Sequence, residues 1–221
     1  MLSGYSEPLG WNKLSLAPLW LRGRFLRLIQ RETRNAREGI PARIVAKMNS
    51  LCDREIIASL YEASNAGVKI QLIVRGICCL KVGIPHIRRK HIGTFDRRQF
   101  PGTCRIFYFY NDGAEELYMG SADWMPRNLD KRVEIVFPLK DEKIKQQAKH
   151  ILDIQLADNL KAHILQPDGS YEKIDKRGKK MLICAQDYFC EEAVKNAKQP
   201  TDPVLDHVFI PAEAGIFSDR D

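Results

Sequence analysis

Residues 42–74 predict a strand, a helix and a second strand that are joined by short turns. An apolar run at 42–48 and an alternating β-branched run at 68–74 both have the pattern of strands. Between them, Asp53 is suited to cap a helix and Gly67 to end it. In such a β–α–β unit the two strands are parallel and the connection is right-handed. The unit therefore predicts an α/β fold, with a sheet flanked by helices.

Further strand patterns follow this unit. Asn111-Asp-Gly predicts a hairpin turn, and Asp168-Gly predicts a turn between two short strands. Three more strands are expected at 105–110, 116–119 and 132–137, and the Asn111-Asp-Gly turn joins the first two. Because the hairpin adds antiparallel pairing to a parallel unit, we expect a mixed sheet.

Helices are predicted where apolar residues recur with helical spacing. These stretches are 18–37, 141–159 and 186–197. We expect a single domain over residues 1–197, followed by a flexible tail at 198–221.

Composition narrows the class of protein. The 221 residues are 44% apolar and 29% charged, which is typical of a soluble globular protein. The net charge of +7 favours an anionic partner, such as a nucleotide, nucleic acid, polyphosphate or an acidic membrane surface. The sequence shows no apolar run long enough to span a membrane, and its start does not have the pattern of a secretory signal. The six cysteines lack zinc-ligand spacing. The adjacent Cys78 and Cys79 follow an apolar strand-like run, so we interpret them as small buried residues in a reducing cytoplasm.

The segment Gly120–Glu134 has the composition of a phosphate site. Small residues at 120–122 would let the backbone approach a phosphate closely, and Ser121 adds a hydroxyl donor. Asn128 and Glu134 could orient that site from a second layer. This arrangement resembles the G-S-x-N…E half of the phospholipase D superfamily motif, in which a histidine and a basic residue precede on a neighbouring strand.

Several longer segments, in order, resemble the C-terminal, second phospholipase D-like domain of bacterial polyphosphate kinase. The resemblance covers residues 1 to about 197 apart from one interval. The segments that carry it include Ala46-Lys-Met-Asn-Ser-Leu, Ile73-Val-Arg-Gly-Ile-Cys-Cys-Leu, Arg105-Ile-Phe-Tyr-Phe-Tyr-Asn-Asp-Gly and Gly120-Ser-Ala-Asp-Trp-Met-Pro-Arg-Asn-Leu-Asp-Lys-Arg-Val-Glu.

The resemblance implies reversible transfer of the terminal phosphoryl group of ATP to polyphosphate. The family uses a phosphohistidine intermediate and Mg²⁺, and its full-length members are homo-oligomers. Arg75 falls at the family's nucleotide-phosphate arginine, and Lys47 is predicted as a weaker phosphate contact at the end of the parallel strand. We assign Ser121 and Asn128 to the same binding site. No metal ligand is assigned, and nucleic acid is not expected as a partner.

The interval at 86–104 does not resemble the family. Its residues are strongly basic and follow neither strand nor helix spacing. Written as the codons TTT CCT GGA ACA TGC and shifted by one base, Phe100–Cys104 reads Phe-Leu-Glu-His-Ala, which is the family's segment with its second catalytic histidine. Residues 86–98 also become family-like when shifted. We therefore hypothesise two compensating frameshifts around a disordered or poorly packed loop at 86–104, with Thr103 at the histidine position.

No catalytic residue is therefore expected to be intact. Threonine has no group that titrates near neutral pH. The resemblance also places the phosphorylated histidine in a preceding domain, so the chain is expected to be inactive alone. The alternatives are a phospholipase D-like phosphodiesterase, which the missing H-x-K-x4-D motif disfavours, and a non-catalytic module that binds ATP or polyanions.

Overall fold

The computed structural model describes residues 14–83, the backbone of 92–94, and residues 103–175 and 181–197. The strands in this part of the chain are β1 (Ser15–Ala17), β2 (Arg43–Met48), β3 (Lys69–Val74), β4 (Ile92–Thr94), β5 (Arg105–Phe109), β6 (Glu116–Gly120), β7 (Glu134–Pro138), β8 (His163–Leu165) and β9 (Tyr171–Lys173). The helices are α1 (Leu21–Arg37), α2 (Arg54–Ala66), α3 (Glu142–Ala157) and α4 (Ala185–Ala197). The chain divides into two compact units, Met1–Ile183 and Cys184–Asp221, and α4 lies in the second.

The nine strands form one mixed sheet in the order β1-β7-β6-β5-β2-β3-β4-β8-β9. Strands β2 and β3 are parallel, as the β–α–β pattern predicts. Strands β5 and β6 pair as an antiparallel hairpin, and β5 also pairs antiparallel to β2. The predicted fold class, a mixed α/β sheet flanked by helices, is confirmed.

Helices cover both faces of this sheet. On one face, α1 and α2 pack against the sheet through a large cluster that includes Phe25, Ile56 and Phe107. On the other face, Ala148 and Leu152 of α3 pack with side chains of β2, β3 and β5. Burial on both faces explains why β2 reads as a nearly continuous apolar run.

The predicted helix boundaries have a local physical cause. The Asp53 side chain accepts a hydrogen bond from the Ile56 backbone N–H at 3.1 Å, which caps α2. Gly67 ends that helix with a φ of 104°, a conformation that favours glycine. Asp141 caps α3 in the same way as Asp53 caps α2.

A buried carboxylate holds the hairpin turn in place. Asn111 and Asp112 adopt positive φ values of 49° and 52°. The fully buried Glu32 of α1 accepts hydrogen bonds from the backbone N–H of Asn111 at 2.9 Å and of Arg43 at 3.3 Å. Burial raises the pKa of the Glu32 carboxyl. Glu32 thereby joins α1 to two points of the sheet that are far apart in sequence.

Part of the interval at 86–104 differs from its prediction. The backbone of Ile92–Thr94 forms β4, which pairs parallel to β3 and antiparallel to β8. The prediction that this interval lacks regular structure is therefore wrong for these three residues. Pairing with two neighbours supplies the strand's hydrogen bonds without an alternating sequence. The rest of the predicted loop up to residue 102, and the predicted tail at 198–221, lie outside the described residues.

The predicted burial of the adjacent cysteines is wrong for Cys79, which is exposed, and Cys78 is half-buried.

No helix in the described ranges combines the length and the apolar character that crossing a membrane requires.

Candidate phosphate-binding site

Three loops meet where β2, β3 and β6 end. Because β6 is antiparallel to β5, and β5 to β2, all three strands point the same way. The segments that follow them are joined by Leu51, which bridges to Cys78 on one side and to Trp124 on the other. We call this region the carboxyl end of the sheet.

Lys47 is the innermost cation at the carboxyl end. Lys47 belongs to β2 and is buried, with 4% of the residue exposed to solvent. Its Nζ donates a hydrogen bond to the Cys104 carbonyl at 2.9 Å. Burial lowers the pKa of Lys47, and the nearby positive charges of Arg75 and Arg105 lower it further. Three cationic side chains therefore converge here.

Arg105 and Asp123 form an ion pair that the sequence interpretation missed. Arg105 Nε lies 3.0 Å from Asp123 Oδ1, and Nη2 lies 3.3 Å from Oδ2. Asp123 Oδ1 also accepts the Asn49 backbone N–H at 2.8 Å, which ties the loop after β6 to the loop after β2. The hairpin register could have suggested the pair, because Arg105 stands opposite Gly120, three residues before Asp123.

Arg75 and Thr103 both lie at the carboxyl end. Arg75 follows β3, and its backbone N–H donates to the Met48 carbonyl at 3.2 Å. The half-buried guanidinium makes no ion pair with any carboxylate of the described ranges. Thr103 is exposed just before β5, and its carbonyl accepts a hydrogen bond from Arg105 at 2.8 Å.

Ser121, Asn128 and Glu134 form a closed polar cluster. The Ser121 hydroxyl and the Asn128 amide donate to the two carboxylate oxygens of Glu134. The Ile135 backbone N–H donates to Ser121 Oγ at 3.2 Å. Asn128 and Glu134 are buried, whereas Ser121 is exposed. In this arrangement Glu134 links Asn128 to Ser121, and Ser121 is the member that faces solvent.

Comparison with known proteins assigns the domain. Residues 14–186 match the family profile described as polyphosphate kinase C-terminal domain 2. The chain belongs to this family. The predicted resemblance is confirmed, and the matched range includes Lys47, Arg75 and Thr103.

Individual relatives agree with the family assignment. A polyphosphate kinase of Thermosynechococcus vestitus is 50% identical over 175 residues, which are 78% of this chain and 24% of that protein. One from Lactiplantibacillus plantarum is 44% identical over 215 residues, or 96% of this chain and 30% of that protein. The crystal structure of polyphosphate kinase from Porphyromonas gingivalis superposes with a TM-score of 0.82 at 35% identity, covering 88% of this chain and 30% of that one. The chain thus spans less than a third of the length of these relatives.

Proposed function

We propose that this polyphosphate kinase domain binds phosphate groups of ATP and polyphosphate at the carboxyl end of its sheet. The reaction it serves is reversible transfer of the terminal phosphoryl group of ATP to polyphosphate. The observation that carries the proposal is the placement of Lys47, Arg75 and Arg105 on neighbouring strand ends: Lys47 stands opposite Ile73, two residues before Arg75, and opposite Ile106, next to Arg105. Asp123 already compensates the charge of Arg105, so an anion at this position would offset the repulsion between Lys47 and Arg75.

The chemistry of phosphoryl transfer suits these groups. Such transfers depend mainly on positioning and on neutralising charge on the phosphate oxygens. The planar guanidinium of Arg75 can bind two phosphate oxygens at once, whereas the ammonium of Lys47 acts as a point charge. Arg105 is already held by Asp123. We therefore assign Arg75 as the main phosphate contact and Arg105 as a residue that positions the loop after β6.

The residues at the carboxyl end do not fit a resident Mg²⁺ ion. Mg²⁺ prefers oxygen ligands in octahedral geometry, commonly carboxylates. Here Asp123 is engaged by Arg105 and the Asn49 N–H, and Glu134 is engaged by Ser121 and Asn128. Within the described ranges no group of three His, Cys, Asp or Glu side chains could hold a metal ion. We propose Mg²⁺ only as part of the MgATP substrate.

Binding of ATP and tripolyphosphate tests this proposal. We expect Arg75→Met to weaken both affinities by about 10-fold or more, because a charge-assisted hydrogen-bonding partner is lost. Isothermal titration calorimetry on the full chain measures the change. Arg34→Met is the matched control, since it removes the same charge from the exposed surface of α1. Equal weakening in both variants would show that binding reports net charge only.

Thr103 gives a separate expectation for catalysis. Its hydroxyl cannot exchange a proton near neutral pH as an imidazole does, so we propose that this chain binds phosphates without transferring them. Incubating the chain with MgATP and polyphosphate, and following ADP by chromatography, should show no release above the protein-free control. ADP release at an enzymatic rate would contradict this part of the proposal and leave the binding proposal standing.

A further inference from the structure

Three cysteines from two separate segments meet at the carboxyl end of the sheet. Cys52 follows β2, and Cys78 and Cys79 follow β3. The two segments continue the parallel alignment of these strands beyond their ends. Leu51 N–H donates to the Ile77 carbonyl at 2.9 Å, and Cys79 N–H donates to the Leu51 carbonyl at 2.8 Å.

This register brings Cys52 and Cys79 opposite each other. Leu51 pairs with Cys78 in parallel, so one step further along both segments pairs Cys52 with Cys79. Neighbouring strands lie about 4.8 Å apart, and side chains at paired positions point to the same face. A disulfide needs Cα atoms about 4.4–6.8 Å apart, so the register meets this requirement.

The side chains agree with the backbone register. The thiols of Cys52 and Cys79 are in hydrogen-bonding contact. Cys78 points the other way: it packs against the hydrophobic core, and its sulfur lies 4.0 Å from the Leu80 carbonyl oxygen. Cys79 is exposed to solvent, whereas Cys52 is partly covered.

We propose that Cys52 and Cys79 are a thiol pair that forms a reversible disulfide when the protein meets a hydroperoxide. The Cys79 thiolate attacks the peroxide, the O–O bond breaks, and the products are a sulfenic acid and an alcohol or water. The Cys52 sulfur then displaces water from that sulfenic acid and forms the S–S bond. Overall, two thiols and one hydroperoxide give one disulfide, one alcohol (or water) and one water, and the two electrons of the thiols reduce the O–O bond.

The order of attack follows from exposure. Peroxide reaches the exposed Cys79 first. Burial and, to a smaller extent, the contact with Cys79 raise the pKa of Cys52 to about 12, which makes Cys52 the poorer nucleophile toward peroxide. The resulting bond would tie the segment after Lys47 to the segment after Arg75, beside the proposed phosphate site.

Peptide mapping tests the pair. The full chain is treated with hydrogen peroxide, alkylated, digested and measured by mass spectrometry. We expect one linked peptide that joins Cys52 to Cys79, with Cys78 recovered in its alkylated form. Dithiothreitol should cleave this link and restore the thiols of Cys52 and Cys79.

Two serine variants separate this pair from its neighbours. Cys79→Ser should leave Cys52 reduced under the same treatment, whereas Cys78→Ser should form the disulfide as the unaltered chain does. A link between Cys52 and Cys78, or an alkylated Cys52 after Cys79 has been oxidised, would overturn the proposal.

Discussion

Replacing Trp124 by alanine is expected to lower the free energy of unfolding by about 3–5 kcal/mol. The indole is fully buried, with an exposure of 0%. It stacks on Phe107 with ring centroids 5.2 Å apart and meets Phe25 edge-on at 5.4 Å. Alanine would leave a cavity between α1 and the sheet. The loss is a large share of the 5–15 kcal/mol that is typical of a domain, and urea unfolding followed by circular dichroism measures it.

Leu19→Ala is the control for this prediction. Leu19 is 56% exposed, so its truncation should change the free energy of unfolding by no more than about 0.5 kcal/mol. Trp124→Phe should fall between the two variants, because it keeps an aromatic ring in the cluster. A loss for Trp124→Ala no larger than that for Leu19→Ala would contradict the packing described for this core.

Gly120→Ala is expected to destabilise the domain by about 1–3 kcal/mol, although it adds only one methyl group. A Cβ atom at this position would overlap the Ile135 carbonyl oxygen and would lie 2.7 Å from Val136 Cγ2 and 2.9 Å from Val136 Cα. Two of these three atoms belong to the backbone of β7, so a side-chain rotation cannot relieve the overlap. Thermal and urea unfolding of the variant measure the effect.

Gly23→Ala provides the opposite control. A Cβ atom there would meet only Arg27 Nη1, at an ordinary contact distance of 3.7 Å. Because alanine is a better helix former than glycine, this variant should be more stable by about 0.5 kcal/mol. If Gly120→Ala were as stable as the unaltered chain, the close approach of β6 and β7 would be wrong.

Gly120 has a structural role that the motif did not suggest. Its small size predicted close approach to a phosphate. In the structure, the space that a side chain would need is occupied by β7. The glycine is therefore explained by strand packing, and the phosphate role at this segment falls to Ser121, which remains a proposal.

Much of the fold followed from local sequence. The β–α–β unit, its cap at Asp53, its end at Gly67 and the turn at Asn111 each depend on neighbouring residues, because capping and turn geometry involve only a few positions along the chain. The motifs around Arg75 and Gly120, which occur in the same order along the chain as in the family, likewise indicated the family, and the match over residues 14–186 shows it.

The chemistry of the carboxyl end depended on tertiary structure. The ion pair of Arg105 with Asp123, the anchoring of the hairpin by Glu32, and the contact of Cys52 with Cys79 all join residues from different elements. Strands must pair in register before the ion pair and the thiol pair can form, because a shift of one residue turns a strand's side chains to the opposite face of the sheet. Glu32 reaches the hairpin only once α1 packs on the sheet. Sequence alone thus determined the local elements and the family, whereas strand register decided which charges and thiols come together.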